Sequence, residues 1–215
     1  LAGAAIFLAS CASTTRLALA DPAPARADIE VLLAGRGPVP VTVETGSRPG
    51  EYGCAVAFEV YRPAGARTDT LVVLGHGFAS SLSWMRGWAE RWASFGVPTA
   101  ILTYCNSTPF NGRHDRNADD MVALARSLHD GPVLYAGFSA GGLAAFLAST
   151  ADPRATAYLG LDAVDSGGLA LAARERFAVP ALFVLGEPGA CNAKGNMLPA
   201  IPVRPTARVL RANCA

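Results

Sequence analysis

Lysine is almost missing from this chain: Lys194 is the only one in 215 residues. Charged residues make up 16% of the sequence and sum to a formal net charge of +1, and the arginines form no run, so no basic face is offered to nucleic acid. Long hydrophobic stretches are also missing. The apolar run at residues 1–10 is too short to cross a bilayer as a helix. No C-x-x-C pair occurs, and the three histidines, His76, His114 and His129, supply no ligand pair at zinc-site spacing. Neither a metal nor an organic cofactor is implied. Histidine is absent from Ala140 to Ala215, and this absence bears directly on the chemistry argued below.

Hydrophobic residues make up 51% of the chain, enough for one substantial core at this length. Its most informative stretch is Gly137-Phe138-Ser139-Ala140-Gly141. A short apolar run, residues 132–136, precedes it, and a small-residue helical pattern, residues 142–148, follows. G-x-S-x-G on a strand-to-helix turn presents the serine on a sharp bend, where the glycines leave room for closely packed backbone. The helix that starts there aims its first N–H groups at charge developing beside the serine oxygen.

From residue 39 onward, strand and helix patterns alternate, which calls for a mostly parallel sheet covered on both faces. Strands are expected at 39–44, 55–61, 70–74, 97–103, 132–136, 156–161, 180–185 and 207–210. Helices are expected at 82–95, at 119–129 with Asn117 as its cap, and after Ser139. Trp84, Trp88 and Trp92 recur every fourth residue and are expected to pack onto the sheet. The element order is that of the α/β-hydrolase fold as far as its last strand. Residues 29–215 form the expected domain, with its C-terminal part missing.

In such a fold Ser139 is the expected nucleophile, with the backbone N–H groups of Phe78 and Ala140 as oxyanion donors. Asp162, where a strand's carboxyl end meets the active-site face, is the expected orienting acid, with Asp165 and Glu187 as alternatives. His76, beside the donor loop, is expected to be structural rather than a base. His114 sits in a polar loop and His129 at a helix end, neither well placed. Because chain order runs serine, acid, histidine, the base is expected beyond Ala215, in a sequence cut at both ends.

The first ten residues resemble the apolar region of a secretory signal, and Leu8-Ala9-Ser10-Cys11 resembles a lipobox with Cys11 as the lipidated residue. The remainder of residues 1–28 reads as a disordered tether. Export to a bacterial envelope, or secretion, would place Cys54, Cys105, Cys191 and Cys214 in an oxidising compartment. Of three possible pairings, Cys54–Cys105 with Cys191–Cys214 is preferred.

The segments Gly75-His76-Gly77-Phe78, Gly137 to Gly142, Gly160 to Asp165, and Val179 to Gly186 with Cys191-Asn192 and Asn196 resemble the chlorophyllase-like branch of the α/β-hydrolases, which includes bacterial exported esterases. The resemblance covers roughly residues 55–215. It implies Ser139 as nucleophile, Asp162 as acid and a histidine shortly after Cys214. Phe138 and Ala163 stand where the plant enzymes carry histidine and proline, so a carboxylic ester is expected rather than chlorophyll. The expected function is an exported serine esterase acting on a small or lipid-like ester, with a possible lipid anchor. A non-catalytic binding lipoprotein on the same scaffold is the alternative, and a peptidase or thioesterase a third.

Overall fold

The computed structural model describes residues 35–108 and 112–212. The chain divides into two compact units, Leu1–Gly35 and Arg36–Ala215, and of the first only Gly35 is described. Cys11, the expected lipidation site, and the expected tether therefore lie outside the described residues, as does Cys214. Among the described residues no helix is long and apolar enough to cross a membrane.

The second unit is α/β. Its strands are β1 (Val41–Pro49), β2 (Ala55–Pro63), β3 (Leu71–Gly75), β4 (Thr99–Leu102), β5 (Val133–Phe138), β6 (Ala155–Leu161), β7 (Ala181–Leu185) and β8 (Ala207–Arg211). They form one sheet in the order β1-β2-β4-β3-β5-β6-β7-β8. Pairing is antiparallel for β1 with β2 and β2 with β4. All other neighbours are parallel.

Residue type explains position in the sheet. Every residue of β3 and β4 is buried, as continuous apolar runs in a doubly covered sheet must be. Alternate residues feed opposite faces: Leu71 and Val73 join one core cluster, Val72 and Leu74 the other. The edge strands β1 and β8 are largely exposed. Both carry charge, and Glu44 of β1 pairs with Arg62 of β2 at 3.0 Å.

Helices cover both faces. On one side lies α1 (Arg86–Ser94), preceded by a 3-10 turn at Leu82–Met85. On the other lie α2 (His114–Leu128), α3 (Ala140–Ala151) and the short α4 (Leu169–Ala173), around Met121, Leu124, Tyr135, Phe146 and Phe183. From β3 the chain runs outward to β4. It then crosses back to β5 and continues the other way. This reversal opens a crevice at the carboxyl ends of β3 and β5, where ligands bind in open parallel sheets.

Two local expectations are corrected. Asn117 does not cap α2, which begins three residues earlier. Its buried amide instead braces the Asn106 backbone, accepting from that N–H at 3.2 Å and donating to that carbonyl at 3.0 Å. Nor do all three tryptophans pack onto the sheet. Trp84 is 75% exposed and Trp88 46%, while Trp92 is half-buried. The residues facing the sheet are Leu82, Met85, Ala89 and Ala93. Each tryptophan sits one position before an inward residue, about 100° round the helix axis. A four-residue repeat has the same period on any face, and here the alanines form the inward face.

Candidate active site

The turn between β5 and α3 places Ser139 at φ 52°, ψ −120°, a left-handed conformation that is costly for a residue with a side chain. Surrounding bonds hold it there. The Ser139 N–H donates to the Leu161 carbonyl at 2.9 Å, and its own carbonyl accepts from the N–H groups of Gly142 at 2.9 Å and Val164 at 3.3 Å. The motif glycines are required by close approach. A Cβ on Gly137 would overlap the Gly141 carbonyl, and one on Gly141 would overlap the carbonyl of His76. The strand, the helix and the loop after β3 thus meet backbone to backbone around the serine.

That loop carries Phe78. It is fixed by the next residue, Ala79, whose N–H donates to the Ser107 carbonyl at 3.0 Å and whose φ is 50°. Among the described residues no group accepts from the amide of Phe78 or from that of Ala140, the first residue of α3. Both expected oxyanion donors are therefore uncommitted, and the positive end of the α3 dipole adds to them.

Asp162 follows β6 directly. Because Phe138 pairs with Leu161 across β5 and β6, Ser139 and Asp162 leave neighbouring strands at the same level. Asp162 also has positive φ, 47°, and its N–H donates to the Val184 carbonyl at 2.6 Å. Its Oδ1 accepts from the Gly186 N–H at 2.9 Å and from Asn192 Nδ2 at 3.0 Å. Oδ2 accepts no bond among the described residues. The alternatives are otherwise occupied or placed. Asp165 is buried, and its two oxygens accept from the N–H groups of Ala170 and Leu171 at the start of α4. Glu187 is exposed and does not line the cleft.

Ser139 and Asp162 open into one cleft of about 860 Å³, with Phe78, Phe138, Trp84 and Trp88 around it. None of the three histidines lines it. His76 is buried, its Nδ1 2.7 Å from the Gly77 carbonyl and its Nε2 accepting from the Tyr104 N–H at 3.1 Å. Burial holds its pKa below the ordinary value, only partly offset by the Gly77 bond. It is a neutral strut between the ends of β3 and β4. His114 is buried with its ring edge-on to Phe78, 6.2 Å between centroids, and burial lowers its pKa against the opposing field of Asp115. His129 ends α2, at the opposite end of the sheet from Ser139.

Asn192 has a role that no local sequence pattern announces. It is buried in the 3-10 segment Ala190–Gly195 and is the side chain that grips Asp162. Four residues on, Asn196 bonds the Asp165 backbone on both sides, accepting from its N–H at 2.9 Å and donating to its carbonyl at 2.8 Å. The spacing of two asparagines against two aspartates was visible in sequence, but their pairing was not. Of the cysteines, Cys54 and Cys105 form a disulfide. Cys191 carries a free, exposed thiol at the cleft, and its expected partner Cys214 is not described. No group of three His, Cys, Asp or Glu side chains that could hold a metal occurs among the described residues.

No family model matches this chain, and no curated protein matches it.

Proposed function

We propose that this chain has the α/β-hydrolase fold and is a serine esterase, with Ser139 as nucleophile and Asp162 as the orienting acid. One observation carries the reading: a strained serine on a strand-to-helix turn shares a cleft with a carboxylate on the next strand end. The strand order and the single antiparallel flank support the fold assignment.

The chemistry follows from the groups at hand. Ser139 Oγ attacks the ester carbonyl carbon, and the tetrahedral oxygen accepts from the N–H groups of Phe78 and Ala140, each such donor typically worth about 3 kcal/mol. The alcohol leaves with the serine proton, and water then releases the acid and returns a proton to Oγ. The base that moves these protons is not His76, His114 or His129. Ala212, the residue after β8, lines the cleft together with Asp162, and its N–H donates to the Leu185 carbonyl at 2.8 Å. We assign the base to a histidine following Ala215 in a longer protein, which would complete the order serine, acid, histidine. Export is supported by the Cys54–Cys105 disulfide, a bond that persists in oxidising compartments. Cys11 would then supply the lipid anchor.

The test is ester hydrolysis by the full-length protein. Ser139→Ala is expected to reduce kcat by at least ~10³-fold with the fold intact, and retained activity overturns the assignment. A second reading, a hydrolase scaffold that binds without turnover, is favoured by the absence of any of the three histidines from the cleft. Inert full-length protein that still binds esters would decide for it.

A further inference from the structure

The aromatic side chains around the cleft lie outside both core clusters. Trp84, Trp88, Phe78 and Phe138 are 45 to 75% exposed, while Leu82, Met85, Ala89 and Ala93 make the contacts that seat α1 on the sheet. Four large apolar side chains exposed together at the mouth of one cleft mark a binding surface. The cleft's volume is that of a small-molecule site.

Charge narrows the ligand. Asp162 is the only charged side chain among the described residues that line the cleft, and no cation joins it. An anionic substrate would meet a carboxylate at short range and no counter-charge. Ring position narrows it further. A Cβ built on Gly77 would lie 3.2 Å from Phe138 Cδ1, so the Phe138 ring lies against the backbone just before the donor loop. A flat substrate group in the cleft would lie among this ring, Phe78 and the indoles of Trp84 and Trp88, all of which line it together with Ser139.

Resting on Ser139 as the nucleophile, we propose that the cleft takes uncharged esters of aromatic acids, the substrate ring packing among Phe138, Phe78, Trp84 and Trp88. Edge-to-face and offset contacts favour a ring over an aliphatic group of equal size. Attack breaks the bond between the carbonyl carbon and the alcohol oxygen and forms the Oγ ester of the aromatic acid. The alcohol carries off the serine proton. Water then splits that ester, Oγ regains a proton, and the acid ionises.

The experiment measures binding separately from turnover. Full-length Ser139→Ala protein is titrated, by ligand-observed NMR, with methyl benzoate, methyl cyclohexanecarboxylate and methyl 4-carboxybenzoate. Methyl benzoate is expected to bind about threefold to tenfold more tightly than the cyclohexane ester, and the carboxylate-bearing ester more weakly than methyl benzoate. Trp84→Ala and Trp88→Ala are each expected to weaken methyl benzoate about threefold; Trp88→Leu serves as a second variant if truncation unsettles α1. Equal binding of the ring and cyclohexane esters, tighter binding of the anion, or indifference to both tryptophans overturns the proposal. Labelling of unmutated protein by a fluorophosphonate reads the serine independently. A labelled Ser139 without ring preference removes the proposal alone. Ring preference with an unlabelled serine removes the hydrolase reading and leaves the cleft's ligand class standing.

Discussion

Asn192 uses all of its amide. Nδ2 donates to Asp162 Oδ1 at 3.0 Å and to the Glu187 carbonyl at 2.9 Å, while Oδ1 accepts from the N–H groups of Gly189 at 2.8 Å and Gly195 at 3.3 Å. A side chain so fully engaged fixes the loop that faces Asp162 and thereby the carboxylate itself. Asn192→Ala removes all four bonds and leaves Asp162 Oδ1 held by the Gly186 N–H alone. It is expected to cost about 1–3 kcal/mol of stability in a denaturant titration, as unsatisfied buried groups do. On the proposed reaction it should lower kcat about tenfold with little change in KM, because Asp162 would be misaligned without altering the aromatic walls. An unchanged kcat with lowered stability would make Asn192 purely structural. Ser139 was legible in sequence because its signal is local, five residues between a strand and a helix. Asn192 was not, because its partner Asp162 lies 30 residues away.

At the scale of elements, Asp120 links α2 to the β1–β2 hairpin. Its Oδ1 accepts from the Glu51 N–H at 2.9 Å, and its Oδ2 is buried without a partner among the described residues. Burial holds this carboxyl above its usual pKa, the Glu51 N–H bond and Arg48 opposing and the charges of Glu51 and Asp119 reinforcing. A carboxyl raised by folding favours the native state below its unfolded pKa, about 3.9. That contribution is lost as pH rises through the folded value, so at neutral pH the buried charge weakens the hairpin–helix contact. Asp120→Asn keeps the acceptor and removes the charge. It is expected to unfold at higher urea than the unmutated protein at pH 7, with the advantage shrinking as pH falls towards 4. An advantage that grows on acidification would contradict this. The alternation of strands and helices was readable because period-2 and period-3.6 patterns are properties of short windows. Which face of α1 meets the sheet was not, since Trp84, Trp88 and Trp92 repeat as regularly as Met85, Ala89 and Ala93.

For the whole molecule, the Cys54–Cys105 disulfide joins the segment before β2 to the loop after β4, across 51 residues. Closing a loop of that length restricts the unfolded chain by about 4 kcal/mol in the chain-entropy treatment. Reduction, or Cys54→Ser with Cys105→Ser, should lower unfolding free energy by roughly 2–4 kcal/mol, read as a lower urea midpoint. A midpoint unaffected by reductant would mean that the bond is absent in solution. The effect should reach the cleft, because Ser107, two residues past Cys105, holds the loop after β3 through Ala79.

Short windows of residues were enough to show where the chain turns sharply, which runs are buried on both faces, and that Ser139 stands on a bend flanked by glycines. These follow from steric and hydrophobic rules acting within a few residues. The packing of distant segments set the rest. It left Asp162 open to the cleft and committed Asp165 to capping α4, since only the first ends its strand level with Ser139. It locked His76 between two backbone groups, because β3 and β4 lie side by side. It turned Trp84 and Trp88 outward, because the sheet takes up the small residues of α1 and leaves the indoles at the mouth of the crevice.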